Sequence, residues 1–227
     1  MNKIIAIALI LLPMVTGAHA GGVYVPGFSG SNVIKVESYK ERKFRHVTAQ
    51  KYDFSCGSAA LSTLLTYHYD DQTSEADAFN RMYQVGDKEK ISAEGFSLLD
   101  MKNYLSERGY QADGYRLGLD KIADVGVPII VLLNTEGYMH FVVVKGIGKE
   151  EILVGDSALG RKIYQRSDFE KKWNGIAFLI RNKASISKQR FNVEDDWLVT
   201  HRYPLENNPG SDSIANLVLN LPNLRDF

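Results

Sequence analysis

Cys56 is the only cysteine of the 227-residue chain, and its neighbours are those of a nucleophile. Apolar side chains recur at three- and four-residue spacings from Gly57 to Tyr69, which predicts a helix that Cys56 opens. The free N–H groups and the dipole at the start of a helix stabilise the negative charge of a thiolate. Gly57 leaves room for a substrate backbone, and Gln50 can donate its side-chain amide to a developing oxyanion. Without such neighbours a lone cysteine is more simply a buried apolar residue.

A thiolate nucleophile also needs a base, and His140 has the most suitable context among the histidines. It begins a β-branched apolar run, which predicts a buried strand. Strands predicted at 139–147 and 150–155 should form a hairpin that brings Asp156 beside His140. A carboxylate there would orient the imidazole and stabilise the imidazolium. Taken singly, a core histidine and a turn aspartate would explain these two residues, so only the joint pattern favours catalysis.

The order and spacing of these four residues resemble those of the C39 peptidases, which are papain-like cysteine proteases best known as leader-removing domains of bacteriocin transporters. The resemblance covers roughly residues 46–181. It implies an α+β, papain-like fold. It also implies that Cys56 is the nucleophile, His140 the general base and acid, Asp156 the orienting residue and Gln50 the oxyanion donor.

The same resemblance implies a groove beside the helices that receives the substrate leader, with Gly95 and Phe96 at its border. Transporter domains of the family commonly have an acidic residue immediately before the cysteine. Here that position is Ser55, so the substrate preference of this chain stays open.

The sequence has no G-x-x-x-x-G-K-[ST] loop, and in this respect the chain is similar to free-standing C39-like proteins of Gram-negative bacteria. Those proteins accompany secretion systems for functional amyloid and other surface polymers. The similarity implies a periplasmic enzyme, an exported polypeptide substrate and secretion-system components as candidate partners. Two alternatives are a non-catalytic module that binds cargo, and a papain-like acyl transferase or amidase that uses the same triad.

The remaining patterns predict the elements that would position these residues. In addition to the helix after Cys56 and the hairpin, helices are expected at 74–84, 94–105, 119–124 and 167–173, and strands at 111–117, 127–133, 162–164 and 175–180. Together they predict a helical layer packed on a mainly antiparallel sheet.

The two ends of the chain differ from this domain. Residues 1–20 have the charged start, apolar run and small-residue site of a signal peptide, and the run is too short to span a bilayer. We therefore expect export, with no membrane-spanning segment after the signal is removed. Residues 21–45 are expected to form an N-terminal extension with an edge strand, residues 46–182 the peptidase domain and residues 183–227 a C-terminal extension.

Charge and histidine spacing limit the kinds of partner. Lysine plus arginine equals aspartate plus glutamate at 27 each, so no overall basic field would attract nucleic acid. The histidines lack the spacing of metal ligands, and no metal or other cofactor is expected.

Overall fold

A computed structural model describes residues 38–52 and 54–198, together with the backbone of two short paired strands, β1 (Gly22–Val23) and β2 (Ile34–Lys35). The expected signal peptide and the end of the chain from residue 199 lie outside the described residues. The chain divides into two compact units, Met1–Tyr39 and Lys40–Phe227. The second unit contains every residue proposed above for catalysis.

The described residues form helices and a six-stranded sheet. The helices are α1 (Tyr39–Lys43), α2 (Cys56–His68), α3 (Glu75–Val85), α4 (Lys88–Glu94), α5 (Leu98–Glu107), α6 (Leu119–Val125), α7 (Arg166–Lys172), α8 (Ala184–Lys188) and α9 (Glu194–Leu198). The strands are β3 (Ala112–Arg116), β4 (Ile129–Thr135), β5 (Tyr138–Ile147), β6 (Glu151–Asp156), β7 (Gly160–Gln165) and β8 (Trp173–Ile180). Their order in the sheet is β3-β8-β4-β5-β6-β7, and all neighbours are antiparallel. The predicted α+β class is confirmed.

Apolar side chains cover both faces of this sheet because successive residues of a strand point to opposite sides. Ile130 and Val143 belong to a cluster with α2, α3 and α5, whereas their neighbours Val131 and Val142 belong to a second cluster with α6 and α7. Helix α2 packs against α3 and, within the sheet, chiefly against β5. The helix that begins with Cys56 is thereby packed on the strand that contains His140.

The helix predicted over 94–105 begins at Leu98 as α5, so the predicted start at residue 94 was wrong. Residue 94 is the last residue of a separate helix, α4. Gly95 has a φ of 79° and ends α4, and Ser97 begins α5 with a capping box in which Ser97 and Asp100 bond each other's backbone N–H. Asp87 caps α4 without such a reciprocal bond, because its carboxylate accepts from the N–H groups of Glu89 and Lys90. Gly95 therefore lies in a turn between helices.

The segment from Lys183 to residue 198, which the sequence predicts to be part of a C-terminal extension, is hydrogen-bonded to β5 of the sheet. The side chain of Asn192 accepts from the N–H of Ile147 at 2.8 Å and donates to its carbonyl at 3.2 Å. A Cβ atom at Gly146 would lie 2.4 Å from the Asn192 oxygen, so this docking requires glycine there. Within the described residues, none of the helices has both the length and the apolar character needed to cross a membrane.

Candidate active site

The sulfur of Cys56 lies at the start of α2, as the helical pattern predicts. The preceding residue, Ser55, makes no capping hydrogen bond from its side chain to this helix. The first N–H groups of α2 are therefore not satisfied by a cap and remain available to an anion. Cys56 is 8% exposed, so a thiolate here would lie in a mostly dry environment at the edge of the core.

The hairpin of β5 and β6 brings His140 and Asp156 together. Asp156 pairs with Val142 across the hairpin, and His140 lies two residues earlier on the same face of β5. The Nε2 atom of His140 lies 2.9 Å from Oδ1 of Asp156, and both side chains are buried. The other ring nitrogen, Nδ1, is buried and has no nitrogen or oxygen hydrogen-bond partner among the described residues. It is the nitrogen left for the proton of the thiol.

The charges around His140 raise its pKa from 6.5 to about 9. Burial acts in the opposite direction, but the hydrogen bond to Asp156 and the neighbouring sulfur of Cys56 outweigh it. Burial also disfavours the charged form of Asp156, yet the hydrogen bond from His140 and the N–H groups of Ala158 and Leu159 hold the pKa of this carboxyl below its usual range. At neutral pH, His140 is therefore protonated and Asp156 is ionised, and the two side chains form an ion pair.

The turn after β6 fixes the carboxylate in place. The same oxygen of Asp156 that faces His140 also accepts hydrogen bonds from the N–H of Ala158 at 2.8 Å and of Leu159 at 3.0 Å. Gly160 closes the turn with a φ of 81°, and a Cβ there would lie 2.6 Å from the carbonyl oxygen of Lys43. Asp156 is thus oriented by its own turn as well as by the imidazole.

Gln50 belongs to the segment that enters the site before the nucleophile. Its backbone N–H donates to the carbonyl of Ser157 at 2.9 Å, which ties this segment to the turn that follows Asp156. Its side-chain Nε2 donates to the carbonyl of Tyr52 at 3.2 Å. An amide nitrogen has two protons, so one remains for an oxyanion.

Two of the three residues predicted to contact substrate are buried in the core, which corrects the expectation of open space beside Gly57. A Cβ atom at Gly57 would lie 2.8 Å from the methyl group of Met101 and 3.0 Å from Cβ of Phe96. Phe96 is itself only 4% exposed. Gly57 is therefore needed for helix packing. Gly95 is half-buried at its turn, and a Cβ there would lie 3.5 Å from the carbonyl of Phe54.

The exposed aromatic side chains near the nucleophile are ones that sequence reasoning did not select. Tyr52 and Phe54 lie just before Cys56, are 58% and 43% exposed, and both pack against Phe79 of α3. Tyr138 stacks on the ring of His140 with centroids 5.8 Å apart. Their positions follow from the tertiary arrangement of loop and strand, for which the local sequence has no signal.

A carboxylate beside the nucleophile was also missed. Glu75, the first residue of α3, is buried and accepts a hydrogen bond from the hydroxyl of Ser55. In the sequence it reads as an ordinary acidic residue at a helix start. Among the described residues, no group of three or more His, Cys, Asp or Glu side chains could hold a metal ion.

Comparison with known proteins identifies the family to which this site belongs. The model of the peptidase C39 family matches residues 45–185. This chain belongs to the peptidase C39 family. The prediction from the spacing of the four candidate residues is thereby confirmed at the level of the family, and the chain is a cysteine peptidase.

Two relatives of this C39 peptidase cover most of its length. The "Probable functional amyloid protease FapD" of Pseudomonas fluorescens is 41% identical over 175 residues, which make up 76% of this chain and 77% of that protein. The protein of the same name from Pseudomonas aeruginosa is 38% identical over 182 residues, or 79% of this chain and 80% of that protein.

A solved structure shows the same fold. The peptidase domain of Streptococcus ComA, a bifunctional ABC transporter, superposes on this C39 peptidase with a TM-score of 0.51 at 19% identity. The match covers 59% of this chain and 96% of that domain. The helical layer on an antiparallel sheet is therefore the fold of C39 peptidase domains, as the sequence predicted.

Proposed function

We propose that this C39 peptidase cleaves a peptide bond in an exported polypeptide through a triad of Cys56, His140 and Asp156, with Gln50 as an oxyanion donor. The observation that supports it most directly is the buried pair of His140 and Asp156, with Nε2 and Oδ1 2.9 Å apart and the sulfur of Cys56 acting on the same imidazole. A nucleophile, a base and an oriented carboxylate are the parts that acyl transfer requires.

The reaction follows from these positions. His140 takes the thiol proton of Cys56 on Nδ1, and the thiolate attacks the carbonyl carbon of the scissile bond. The oxyanion that forms accepts from the second amide proton of Gln50 and from N–H groups at the start of α2. His140 then donates its proton to the leaving amine, and water hydrolyses the resulting thioester with His140 as base. Asp156 keeps the imidazole in its orientation and stabilises the imidazolium in every step.

The biological setting is proposed from the sequence and from the relatives. Residues 1–20 have the pattern of a signal peptide, which supports export to the periplasm. The peptidase domain is proposed to span residues 46–182. Because the two FapD proteins are described as functional amyloid proteases, we propose that the substrate is a secreted protein of functional-amyloid biogenesis and that secretion-system components are partners.

The experiment compares the wild type with Cys56→Ala on purified exported proteins, beginning with functional-amyloid proteins of Pseudomonas. New peptide termini are mapped by mass spectrometry. We expect the wild type to produce a defined new terminus, and Cys56→Ala to lower the rate at least about a thousandfold, since it removes the nucleophile. Ser106→Ala removes an exposed hydroxyl from α5, serves as the control and should cleave normally.

The other outcomes separate the alternatives. Equal cleavage by both proteins would refute Cys56 as the nucleophile. Binding of a substrate without cleavage by either protein would favour a cargo-binding module. A modified side chain or terminus without a broken backbone would favour an acyl transferase or amidase.

A further inference from the structure

The loop from Gln50 to Ser55 joins the proposed oxyanion donor to the nucleophile, and a buried carboxylate from another element holds it. We infer that Glu75 is a positioning residue that keeps the side-chain amide of Gln50 in its place. The inference rests on the proposed role of Gln50 and extends it to a residue of α3 that touches neither the thiol nor the imidazole in any contact described above.

Glu75 has a buried carboxylate, and the cost of removing it from water has to be offset by hydrogen bonds. It is 4% exposed, and Oε1 accepts hydrogen bonds from the hydroxyl of Ser55 at 2.5 Å and from the N–H of Lys51 at 3.0 Å. Its other oxygen, Oε2, is buried without a hydrogen-bond partner in the described part of the chain. Burying a carboxylate is costly, and the dipole of an 11-residue helix that begins at Glu75 offsets only part of the cost. The two hydrogen bonds to the loop are therefore the contacts that offset the rest of this cost.

The bond between Ser55 and Glu75 determines which donors the carbonyl of Tyr52 receives. The hydroxyl of Ser55 is within hydrogen-bond distance of two acceptors, Oε1 of Glu75 at 2.5 Å and the carbonyl of Tyr52 at 2.9 Å. A hydroxyl has one proton, and the shorter, charge-assisted bond to the carboxylate takes it. The two lone pairs of the Tyr52 carbonyl then accept from the backbone N–H of Ser55 at 3.2 Å and from Nε2 of Gln50 at 3.2 Å.

Removal of the Glu75 carboxylate would change which donors bond the carbonyl of Tyr52. The Ser55 hydroxyl would turn to the Tyr52 carbonyl and compete there with the amide of Gln50. The N–H of Lys51 would also lose its acceptor, which loosens the start of the loop. The expected defect is therefore in stabilisation of the oxyanion, and formation of the thiolate should be spared.

Two small reagents test these steps separately on the only cysteine of the chain. With p-nitrophenyl acetate, the sulfur of Cys56 forms a thioester and p-nitrophenolate leaves, a step that passes through an oxyanion. With iodoacetamide, the sulfur forms a thioether and iodide leaves, and no oxyanion arises. The ratio of the acylation rate to the alkylation rate therefore reports the oxyanion site, and it does so whether or not a polypeptide is the natural substrate.

Four variants are measured against the wild type at a temperature where all are folded by circular dichroism. We expect Glu75→Ala to lower the ratio about tenfold. Glu75→Gln keeps an oxygen that accepts from Ser55 and Lys51 and should stay within about threefold of the wild type. The double variant Glu75→Ala/Ser55→Ala removes the competing hydroxyl and should recover at least about threefold over Glu75→Ala. Asp77→Asn removes an exposed charge from the same first turn and should leave the ratio unchanged.

The inference is overturned if Glu75→Ala leaves the ratio unchanged or lowers both rates in parallel, because the latter marks a general loss of structure. It is equally overturned if the double variant shows no recovery, or if p-nitrophenyl acetate does not acylate Cys56 in the wild type. Failure of the proposed function is a separate result, because it appears as an absence of Cys56-dependent peptide cleavage while the acylation assay still reads out.

Discussion

At the scale of single residues, the imidazole of His140 is the group on which the site depends. It lies between the carboxylate of Asp156 and the sulfur of Cys56, and these two neighbours raise its pKa to about 9 against the effect of burial. Because the pKa in the fold exceeds the 6.5 of a free histidine, the charged form stabilises the fold fully below pH 6.5. This contribution is lost as the pH rises through about 9. The same proton is the one proposed to reach the leaving amine.

Substitution of Asp156 should therefore move the alkaline limit of activity. In the wild type, kcat/KM for a cleaved peptide should fall above about pH 9, where His140 loses its proton. Asp156→Asn removes the strongest influence that raises this pKa, so the fall should begin about one to two pH units lower. Asp168→Asn, an exposed carboxylate on α7, is the control and should leave the profile in place. An alkaline limb that is the same in Asp156→Asn and the wild type would show that Asp156 does not control the proton.

All four proposed catalytic residues could be selected from residue type and context. Cys56 has a helical pattern after it, His140 begins the apolar run that forms the buried part of β5, and the hairpin register places Asp156 near His140 because pairing is local. The hydrogen bond from Gln50 to Tyr52 and the burial of Glu75 could not be found in this way. Both depend on how an irregular loop packs against α3, and no local periodicity encodes that.

At the scale of elements, the contact between α2 and the turn before α5 determines where the nucleophile lies. Gly57 has no side chain, so Phe96 and Met101 approach the first turn of α2 closely. Sequence reasoning gave the start of α2 at Cys56 and its end to within one residue, but it interpreted this glycine as space for substrate. The interpretation failed because a glycine can admit either a ligand or a neighbouring element, and only the tertiary packing distinguishes the two.

Gly57→Ala tests the packing directly. Its Cβ would lie 2.8 Å from Cε of Met101 and 3.0 Å from Cβ of Phe96, and the latter is not the flexible end of a side chain. We expect the free energy of unfolding to fall by about 1–3 kcal/mol, as for other overpacked cores. Gly114→Ala in β3 is the matched control, because its Cβ would meet only Ile176 at an ordinary 3.4 Å. Urea unfolding followed by tryptophan fluorescence gives both values, and equal stability of the two variants would contradict the packing assigned to Gly57.

At the scale of the whole molecule, a buried cluster of charges joins parts of the chain that are far apart in sequence. Asp196 of α9 is 3% exposed and forms ion pairs with Lys145 at 2.7 Å and with Arg161 at 3.1 Å. Arg161 also donates to the carbonyl of Arg42, and Lys145 donates to the carbonyl of His46. Two cations and one carboxylate thus connect the segment that leads to Gln50, the strands β5 and β7, and helix α9.

The sequence could not predict this cluster. Glu194, Asp195 and Asp196 follow one another and read as a solvated acidic helix start. The partners of Asp196 lie 35 residues away at Arg161 and 150 residues away at His46, so no short-range pattern links them. For the same physical reason, no pattern in the sequence predicts that α9 is held by Lys145 of β5 and Arg161 of β7.

Asp196→Asn should therefore be strongly destabilising although it lies far along the chain from the catalytic residues. The substitution keeps the shape of the side chain but leaves Lys145 and Arg161 as buried cations without a carboxylate. Breaking a buried pair in this way costs about 3–5 kcal/mol of unfolding free energy. Asp195→Asn, an exposed neighbour on the same short helix, should change the stability by less than about 0.5 kcal/mol.

The pH dependence of the Asp196→Asn effect distinguishes electrostatics from packing. Burial lowers the pKa of Lys145 to about 8 even with Asp196 present, so Lys145 can lose its proton at high pH and the pair then contributes less. The difference between Asp196→Asn and the wild type should accordingly be smaller at pH 9 than at pH 6 in urea unfolding, and a difference that is the same at both pH values would show that the helix is held by packing alone.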